Sequence, residues 1–340
     1  MFAGLVVVAF LMTDILPGDP ARQAAGRNAT AEQVAAVRAS LGLDRPLLER
    51  FFEYAGRVLH GNLGQSVFTH RSVLSDIGQV LPSSLELVIA AMVINIVIAV
   101  PLGVAAAYRR GRLTDIAARL VVLTGAAVPS FWLALILQLV FSDKLKILPL
   151  SGQLGFGIEV PKKTGIITLD ALLAGDWSAF TDALQHLVLP AASLSAAFIA
   201  VVARTVRSSM ITALDADYIT LARATGASEW RIVIRHALRN AFVPSSTILG
   251  MQLGWMLGAT VLIESTFNRV GIGAYMVTAV LQDDLYAVAG SVLVIGMIVV
   301  LANFAVDLVQ LWLNPRLRET REARPVAAPG PVDTLAGATR

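Results

Sequence analysis

Chemistry in this chain would have to come from few side chains. Cysteine is absent, which removes disulfides and thiolate metal sites. The histidines, His60, His70, His186 and His236, include no pair at helical i, i+4 spacing, so no metal centre is predicted. Lys162-Lys163-Thr164 lacks the glycine of a phosphate-binding loop, and no Walker A sequence occurs. "GQLGFG" (Gly152 to Gly157) follows no strand and reads as a plain loop. Asp283-Asp284 read as solvated charge in an outer loop. Glu86, Arg119, Glu264 and Asp307 fall near the ends of apolar runs, where solvation or snorkelling suffices. No charge sits mid-run, which leaves a proton relay without its groups. Asn95, Gln138, Gln252 and Asn303 are the deep polar residues and read as interhelical hydrogen bonds. No catalytic, cofactor or metal site follows, and ATP hydrolysis would need another chain.

The apolar runs are the elements that must position anything functional. The 340 residues are 56% hydrophobic and 15% charged, against roughly 25% charged in soluble domains. Mean hydropathy is +0.70. The fold class is therefore all-α polytopic membrane protein. A span needs about 20 apolar residues. Leu87 to Ala107, Leu120 to Phe141, His186 to Ala203, Ala241 to Ile263 and Leu285 to Val306 qualify or come close. Met1 to Met12 is apolar, has no preceding basic residue and shows no cleavage site, so it reads as a first transmembrane helix, short or clipped at its start. Six transmembrane helices are expected. Arginines orient them: "YRRGR" (Tyr108 to Arg112), the Arg204 to Arg239 group and "PRLRETREAR" (Pro315 to Arg324) fall on one side after six crossings. By the positive-inside rule that side is cytoplasmic, with both termini, and the arginines mark topology rather than nucleic acid.

The expected organisation is a first transmembrane helix over 1–16, an extracytoplasmic helical segment over 17–81, a five-helix core over 82–313 with a loop at 210–240, and a tail over 314–340 whose Pro, Ala and Gly content reads as disordered. In the outer segment Thr30 to Gln33 reads as a capping box, better than as the end of a glycosylation sequon at Asn28. Gly42 stops that helix, Pro46 starts the next and Gly61 ends it. Gly250, Gly254 and Gly258 recur every four residues in the fifth span, for close helix packing in this chain or along a path shared with a second chain.

One polar stretch interrupts the apolar pattern. "DYITLARATGASEWRIVIRHALRNAFVP" (Asp217 to Pro244) carries four arginines between two membrane-grade runs. Asp217 reads as an N-cap. Tyr218, Leu221, Ala222 and Thr225 share one face and Arg223 points elsewhere. Gly226 supplies the left-handed residue that ends the helix. Ser228 reads as the cap of the next helix, whose face is Trp230, Val233, Ile234 and Ala237. Two readings of the first helix stay open on these residues: docking in the groove of a partner, or resting on anionic lipid.

The stretch resembles the EAA loop of ABC-importer permeases. Aligned on Gly226, Thr220, Leu221 and Ala222 occupy the E-A-A positions, so Ala222 and Gly226 match while the glutamate is lost. Leu238-Arg239 stands where that family has Leu-Pro. "ARATG" and "RHALRNAFVP" are closer to the dipeptide, oligopeptide and nickel branch. "LPGDPAR" (Leu16 to Arg22), "LGLDRPLLERFFEY" (Leu41 to Tyr54), "GNLGQS" (Gly61 to Ser66), "PSFW" (Pro129 to Trp132) and "LPLSG" (Leu148 to Gly152) agree with that branch, which resembles this chain from about Leu16 to Arg318.

The resemblance implies a six-helix permease of the type I ABC-importer kind in the bacterial cytoplasmic (inner) membrane. Its partners would be a second homologous permease, two ATP-binding subunits, an extracytoplasmic substrate-binding protein and a peptide substrate. Coupling to the ATPase would run through Asp217, Tyr218, Leu221, Ala222, Arg223, Ala224, Gly226 and Ala227. The translocation path would include Gln252, Trp255 and Met256, and the outer gate or binding-protein contact Glu264, Phe267 and Asn268. Runner-up readings are a nickel-chelate ABC permease, a secondary transporter, and a membrane-anchored structural or signalling protein.

Overall fold

Long helices run past the ends of the apolar segments. The computed structural model describes residues 2–15, 20–26, 29–40, 42–113, 115–116, 120, 125 and 127–313. Its helices are α1 (Phe2–Ile15), α2 (Pro20–Ala25), α3 (Ala31–Ser40), α4 (Leu47–Leu59), α5 (Val73–Tyr108), α6 (Ser130–Leu137), α7 (Ile167–Ala174), α8 (Trp177–Leu214), α9 (Asp217–Ala224), α10 (Glu229–Thr266), α11 (Ile272–Leu281) and α12 (Leu285–Leu313). Among the described residues β-structure amounts to one isolated antiparallel bridge, Gln65 to Ser72. Among the described residues four helices are long and apolar enough to cross a membrane: α5, α8, α10 and α12 as far as Leu308. α1 and α11 are shorter apolar helices. The expected third span, 120–141, the sequon at Asn28, Arg119 and the 314–340 tail lie wholly or partly outside the described residues, as does part of "LPGDPAR".

The helix starts depart from expectation. α5 begins at Val73, not near Leu87, because Ser72 caps it: its hydroxyl accepts from the Ser75 amide. α8 begins at Trp177 because the Asp176 carboxylate accepts from the Ala179 amide. Pro82, Pro190 and Pro244 each lie inside a continuous helix. At 38 residues α8 is about 57 Å long at 1.5 Å per residue, well beyond a hydrocarbon core of about 30 Å. The extra turns carry the helix past that depth as a rigid rod.

α5 and α8 pack along much of their length, and α10 packs on α8 and α12. Gly250 and Gly254 face α12: a Cβ at these two positions would press on Val306 and Val299. Space around Gly258 is open. A polar triplet crosses the bundle at depth. Asn95 Nδ2 donates to Gln252 Oε1 at 2.8 Å, and Gln252 Nε2 donates to the Phe198 carbonyl at 3.2 Å. That is the interhelical use expected of Asn95 and Gln252. Gln138 likewise donates to the carbonyls of Leu150 and Thr266.

The segment before α5 folds by local capping. Thr30 and Gln33 exchange hydrogen bonds, 2.9 Å from the Thr30 amide to Gln33 Oε1 and 3.3 Å from the Gln33 amide to Thr30 Oγ1, a complete capping box. Phe10 of α1 stacks against Phe51 and Tyr54 of α4 with centroids 5.4 and 5.7 Å apart. Burial there pushes the Tyr54 hydroxyl up to about 12. Asp284 was expected in solvent. It is buried instead, and accepts from Ser66 Oγ at 2.6 Å and from the Phe68 amide at 3.3 Å. It also accepts from the Ala287 amide at 3.1 Å, so it caps α12 while holding the 62–72 loop. Asp283 beside it stays exposed, with φ of 57°.

Candidate functional site

The Asp217 to Gly226 stretch does form a helix, but it starts differently. Ala216 holds the N-cap position and no side chain caps the first turn. Asp217 is instead the first helical residue, where its charge favours the positive end of the helix. The end is built as expected. Gly226 has φ of +80°, the Gly226 amide donates to the Arg223 carbonyl at 3.0 Å and the Ala227 amide to the Ala222 carbonyl at 3.1 Å. Thr225 Oγ1 also donates to the carbonyls of Leu221 and Ala222. Ser228 sits at the next N-cap position without a side-chain hydrogen bond. Arg223 Nε donates to Glu229 Oε1 at 3.0 Å, which pins α9 to the start of α10.

α9 buries a side chain that lies outside the stripe read from spacing. Ile219 is fully buried, packed with Met210 and Ala213 of α8 and Ile232, Val233 and Ala237 of α10. Ala222, one turn on, lies half-buried against the same cluster. Tyr218 and Leu221 are exposed, Leu221 at 66%, and so are Ala224 and Thr225. Tyr218, Leu221 and Thr225 make the outward side of the helix, with Ala222 at its edge. Ile219 was passed over, although it is the side chain that anchors α9 to the bundle. Residues 232–238 take a wider π-helical turn around that anchor. A helix held by one apolar residue between the ends of two long rods, with an exposed Tyr and Leu outward, can transmit a push on its outer face to both rods.

The opposite end of the bundle holds a charge cluster that sequence reasoning missed. Glu86 and Glu264 were expected to be solvated at span ends, yet both are buried, and so is Arg269 at 3% exposure. Arg269 Nη2 donates to Glu86 Oε2 at 3.4 Å and Nη1 to the His186 carbonyl at 3.5 Å. Glu86 Oε1 accepts from the Thr168 amide at 2.9 Å and from Thr168 Oγ1 at 2.6 Å. Glu264 accepts from Ser84 Oγ at 2.5 Å and from the Ala274 amide at 3.0 Å. The Ser84 hydroxyl in turn accepts from the Ile272 amide. The cluster joins α5, α7, α8, α10 and α11. A faint signal existed in the spacing of Gly271 and Gly273 after Glu264: a Cβ on Gly273 would run into the Val261 backbone at 2.5 Å.

The family described as "binding-protein-dependent transport system inner membrane component" matches residues 99–319, and its N-terminal counterpart matches residues 2–88. This chain belongs to that family. The permease is therefore a multi-pass, membrane-embedded component of an ABC importer and not an enzyme; ATP is hydrolysed on separate subunits, and a substrate-binding protein is a general partner. It is 42% identical to the "Probable D,D-dipeptide transport system permease protein DdpB" of Escherichia coli (strain K12), over 93% of each chain. It is 38% identical to the "Di/tripeptide transport system permease protein DppB" of Pseudomonas aeruginosa (strain UCBPP-PA14), over 94% of this chain and 96% of that one. It is 35% identical to the "Glutathione transport system permease protein GsiC" of Salmonella choleraesuis (strain SC-B67), over 92% and 94%. In fold, it is similar to a chain of the inward-facing MetNI methionine ABC transporter, with a TM-score of 0.52 over 68% of this permease and 93% of that chain at 15% identity.

The remaining candidate residues of the permease are dispersed. Trp255 is exposed at 69% on α10, whereas Gln252 and Met256 pack inside the chain, Met256 in the apolar core between α5, α8 and α10. Of the outer trio, Asn268 is exposed with φ of 48°, Phe267 is buried and Glu264 belongs to the charge cluster. The Phe267 carbonyl accepts from the Gly152 amide at 2.8 Å, which ties this turn to the 142–166 loop.

Proposed function

We propose that this permease is one of two transmembrane subunits of an ATP-driven importer of dipeptides or other short peptides. A second, homologous permease completes the path, two ATP-binding subunits dock on the arginine-rich side, and a binding protein delivers peptide to the other. Both termini and the α9 helix lie in the cytoplasm, and the 17–81 segment lies outside. The chain itself carries no cofactor. Coupling runs through the exposed Tyr218, Leu221, Ala224 and Thr225 surface, with Ile219 as the inward anchor and Gly226 as the turn.

The observation that carries the coupling reading is the division of α9 into a buried Ile219 and an exposed Leu221. A helix resting on lipid would turn its large apolar residues to one side, towards the bilayer. Here one is wedged between two rods and another faces away. The peptide reading is supported by relatives named for dipeptide and di/tripeptide transport. The glutathione relative, itself named for a peptide, keeps ligand class within short peptides. Family membership sets the secondary-transporter reading aside. Trp255, exposed on α10, is the candidate path residue, and Asn268 the candidate outer contact.

Topology is tested with single cysteines, since none is native. A membrane-impermeant thiol reagent applied to intact cells is expected to label Ser40→Cys and to spare Arg112→Cys. Labelling of the second would reverse the orientation. Substrate class is tested by ATPase rate in the reconstituted complex with binding protein and peptides of increasing length. Stimulation by dipeptides and tripeptides is expected, and stimulation by a nickel chelate alone would overturn the peptide reading.

A further inference from the structure

The arginine-rich end of the bundle has a cavity of about 610 Å³ between the end of α5 and the start of α10. Its walls are apolar: Val100, Val104, Val233, Ile234 and Leu238. Its mouth has another character, with Tyr108, Arg109 and Trp230. Tyr108 and Trp230 are exposed, Trp230 at 76%. Among the described residues the Arg109 side chain has no ion-pair partner. The acidic side chain at the mouth, Glu229, already receives the Arg223 guanidinium, so the net character there is cationic. The first turn of α10 has no side-chain cap, and the positive end of a long helix faces the same opening.

The cavity is not closed above. Val93 and Val97 are exposed and continue the face of Val100, Val104 and Tyr108 at helical spacing. From Val93 to Tyr108 that stripe is 15 residue steps, about 22 Å at 1.5 Å per residue. One leaflet of hydrocarbon is about 15 Å deep, half of the core. An apolar slot of leaflet depth, with an aromatic pair and an unmatched arginine at its mouth, has the length and charge order of a phospholipid. Aromatic side chains favour the headgroup level, and basic pockets between spans select anionic headgroups.

We propose that this groove is a binding site for one anionic phospholipid of the leaflet that Arg109 faces, with the headgroup phosphate at Arg109 and the first amides of α10, and an acyl chain along Val104, Val100 and Val97. Its wall includes Val233, which packs beside Ile219, so an occupied groove supports the rods on which the coupling helix is seated. The site goes beyond the transport reading and depends on it only for the name of the leaflet.

The test uses the full four-subunit complex in lipid nanodiscs. Of the five tryptophans, Trp132, Trp177, Trp255 and Trp312 are changed to Phe in this chain, and fluorescence is read from Trp230 against the same complex with Trp230→Phe as background. Bromine-labelled phosphatidylglycerol and bromine-labelled phosphatidylcholine are compared at equal mole fraction. Phosphatidylglycerol is expected to quench Trp230 at the lower mole fraction, by about fivefold, the weight of one basic residue near an anionic headgroup. Arg109→Gln is expected to abolish the difference. Equal quenching by both lipids would reduce the groove to ordinary boundary lipid, and quenching by neither would mean that a protein subunit covers it; either result overturns the proposal. Native mass spectrometry of the complex with all tryptophans intact gives a second reading: one retained phosphatidylglycerol that Arg109→Gln or the groove-filling Val104→Phe removes. Unchanged retention in both variants contradicts the site even if the four-tryptophan replacement fails to assemble.

Discussion

At Arg269 the balance of charge is set by burial. The guanidinium lies between two buried carboxylates, Glu86 and Glu264, and its Nε has no hydrogen-bond partner in the interior. Arg269→Met would leave both acids without a cation. Removing one partner of a buried pair costs about 3–5 kcal/mol, because the remaining charge is uncompensated. We expect a large fall in the thermal midpoint of the purified complex and partial recovery when Glu86→Gln is added. An unchanged midpoint would mean that the acids are neutral in the folded protein. Asp170 behaves differently, in the outer layer. Burial raises its pKa, but hydrogen bonds from Thr164 (hydroxyl and amide), Gly165 and Lys163 outweigh that and hold the carboxyl below its usual 3.8. A depressed folded value stabilises the charged form. The contribution is present above the unfolded pKa and is lost as pH falls through the folded one. Proteolysis of the 160–170 loop should therefore accelerate below about pH 4, the ordinary carboxylate value, and Asp170→Asn should be cleaved quickly at every pH. Equal cleavage of both proteins at neutral pH would remove the carboxylate from this role.

The elements were legible where a local rule decided them and illegible where tertiary contacts did. The capping box at Thr30 to Gln33, the stop at Gly61 and the turn at Gly226 each depend on a side chain or a φ within a few residues, and each forms. Starts of α5 and α8 were misplaced because apolar count was read as helix extent, while Ser72 and Asp176 cap these two rods well outside the apolar runs. The charge cluster was illegible because its members come from helices about 180 residues apart in sequence, such as Glu86 and Arg269. α9 lies between: its existence and its Tyr218 to Thr225 stripe were readable, and the Ile219 anchor was not, because the slot it fills is defined by α8 and α10. Two expectations follow. Gly226→Val places a β-branched residue at φ of +80°, a strain of about 1–2 kcal/mol, whereas Gly226→Asn should be milder. Limited proteolysis between α9 and α10 reads this order directly, and equal resistance of Val and Gly proteins would mean that the turn relaxes. Gln252→Leu should lower stability by about 0.6–2 kcal/mol by breaking the Asn95 to Phe198 link. Unfolding in detergent would show it, and no loss would mean that Asn95 finds another acceptor.

On the scale of the whole molecule, a charge cluster and an apolar seat lie at the two ends of the same rods. α5, α8 and α10 each contribute to the charge cluster around Arg269 and to the apolar seat around Ile219. Rigid helices make the two ends mechanically one body, so a load on α9 would be felt at the turn carrying Asn268. The proposed coupling requires the outward face of α9 to grip an ATPase, and Leu221 is the side chain that would separate docking from folding. It is 66% exposed, so Leu221→Glu should leave insertion and thermal stability of the permease intact. Truncating or charging a docking anchor costs about 2 kcal/mol, roughly thirtyfold in affinity. The decisive measurement is the ATPase rate of the purified four-subunit complex, titrated with peptide-loaded binding protein. With Leu221→Glu we expect the ATP-binding subunits to dissociate on dilution, or the stimulation by loaded binding protein to be lost, while the permease still binds that protein. Full subunit stoichiometry together with full ligand-stimulated hydrolysis would contradict the assignment of α9 as the coupling element.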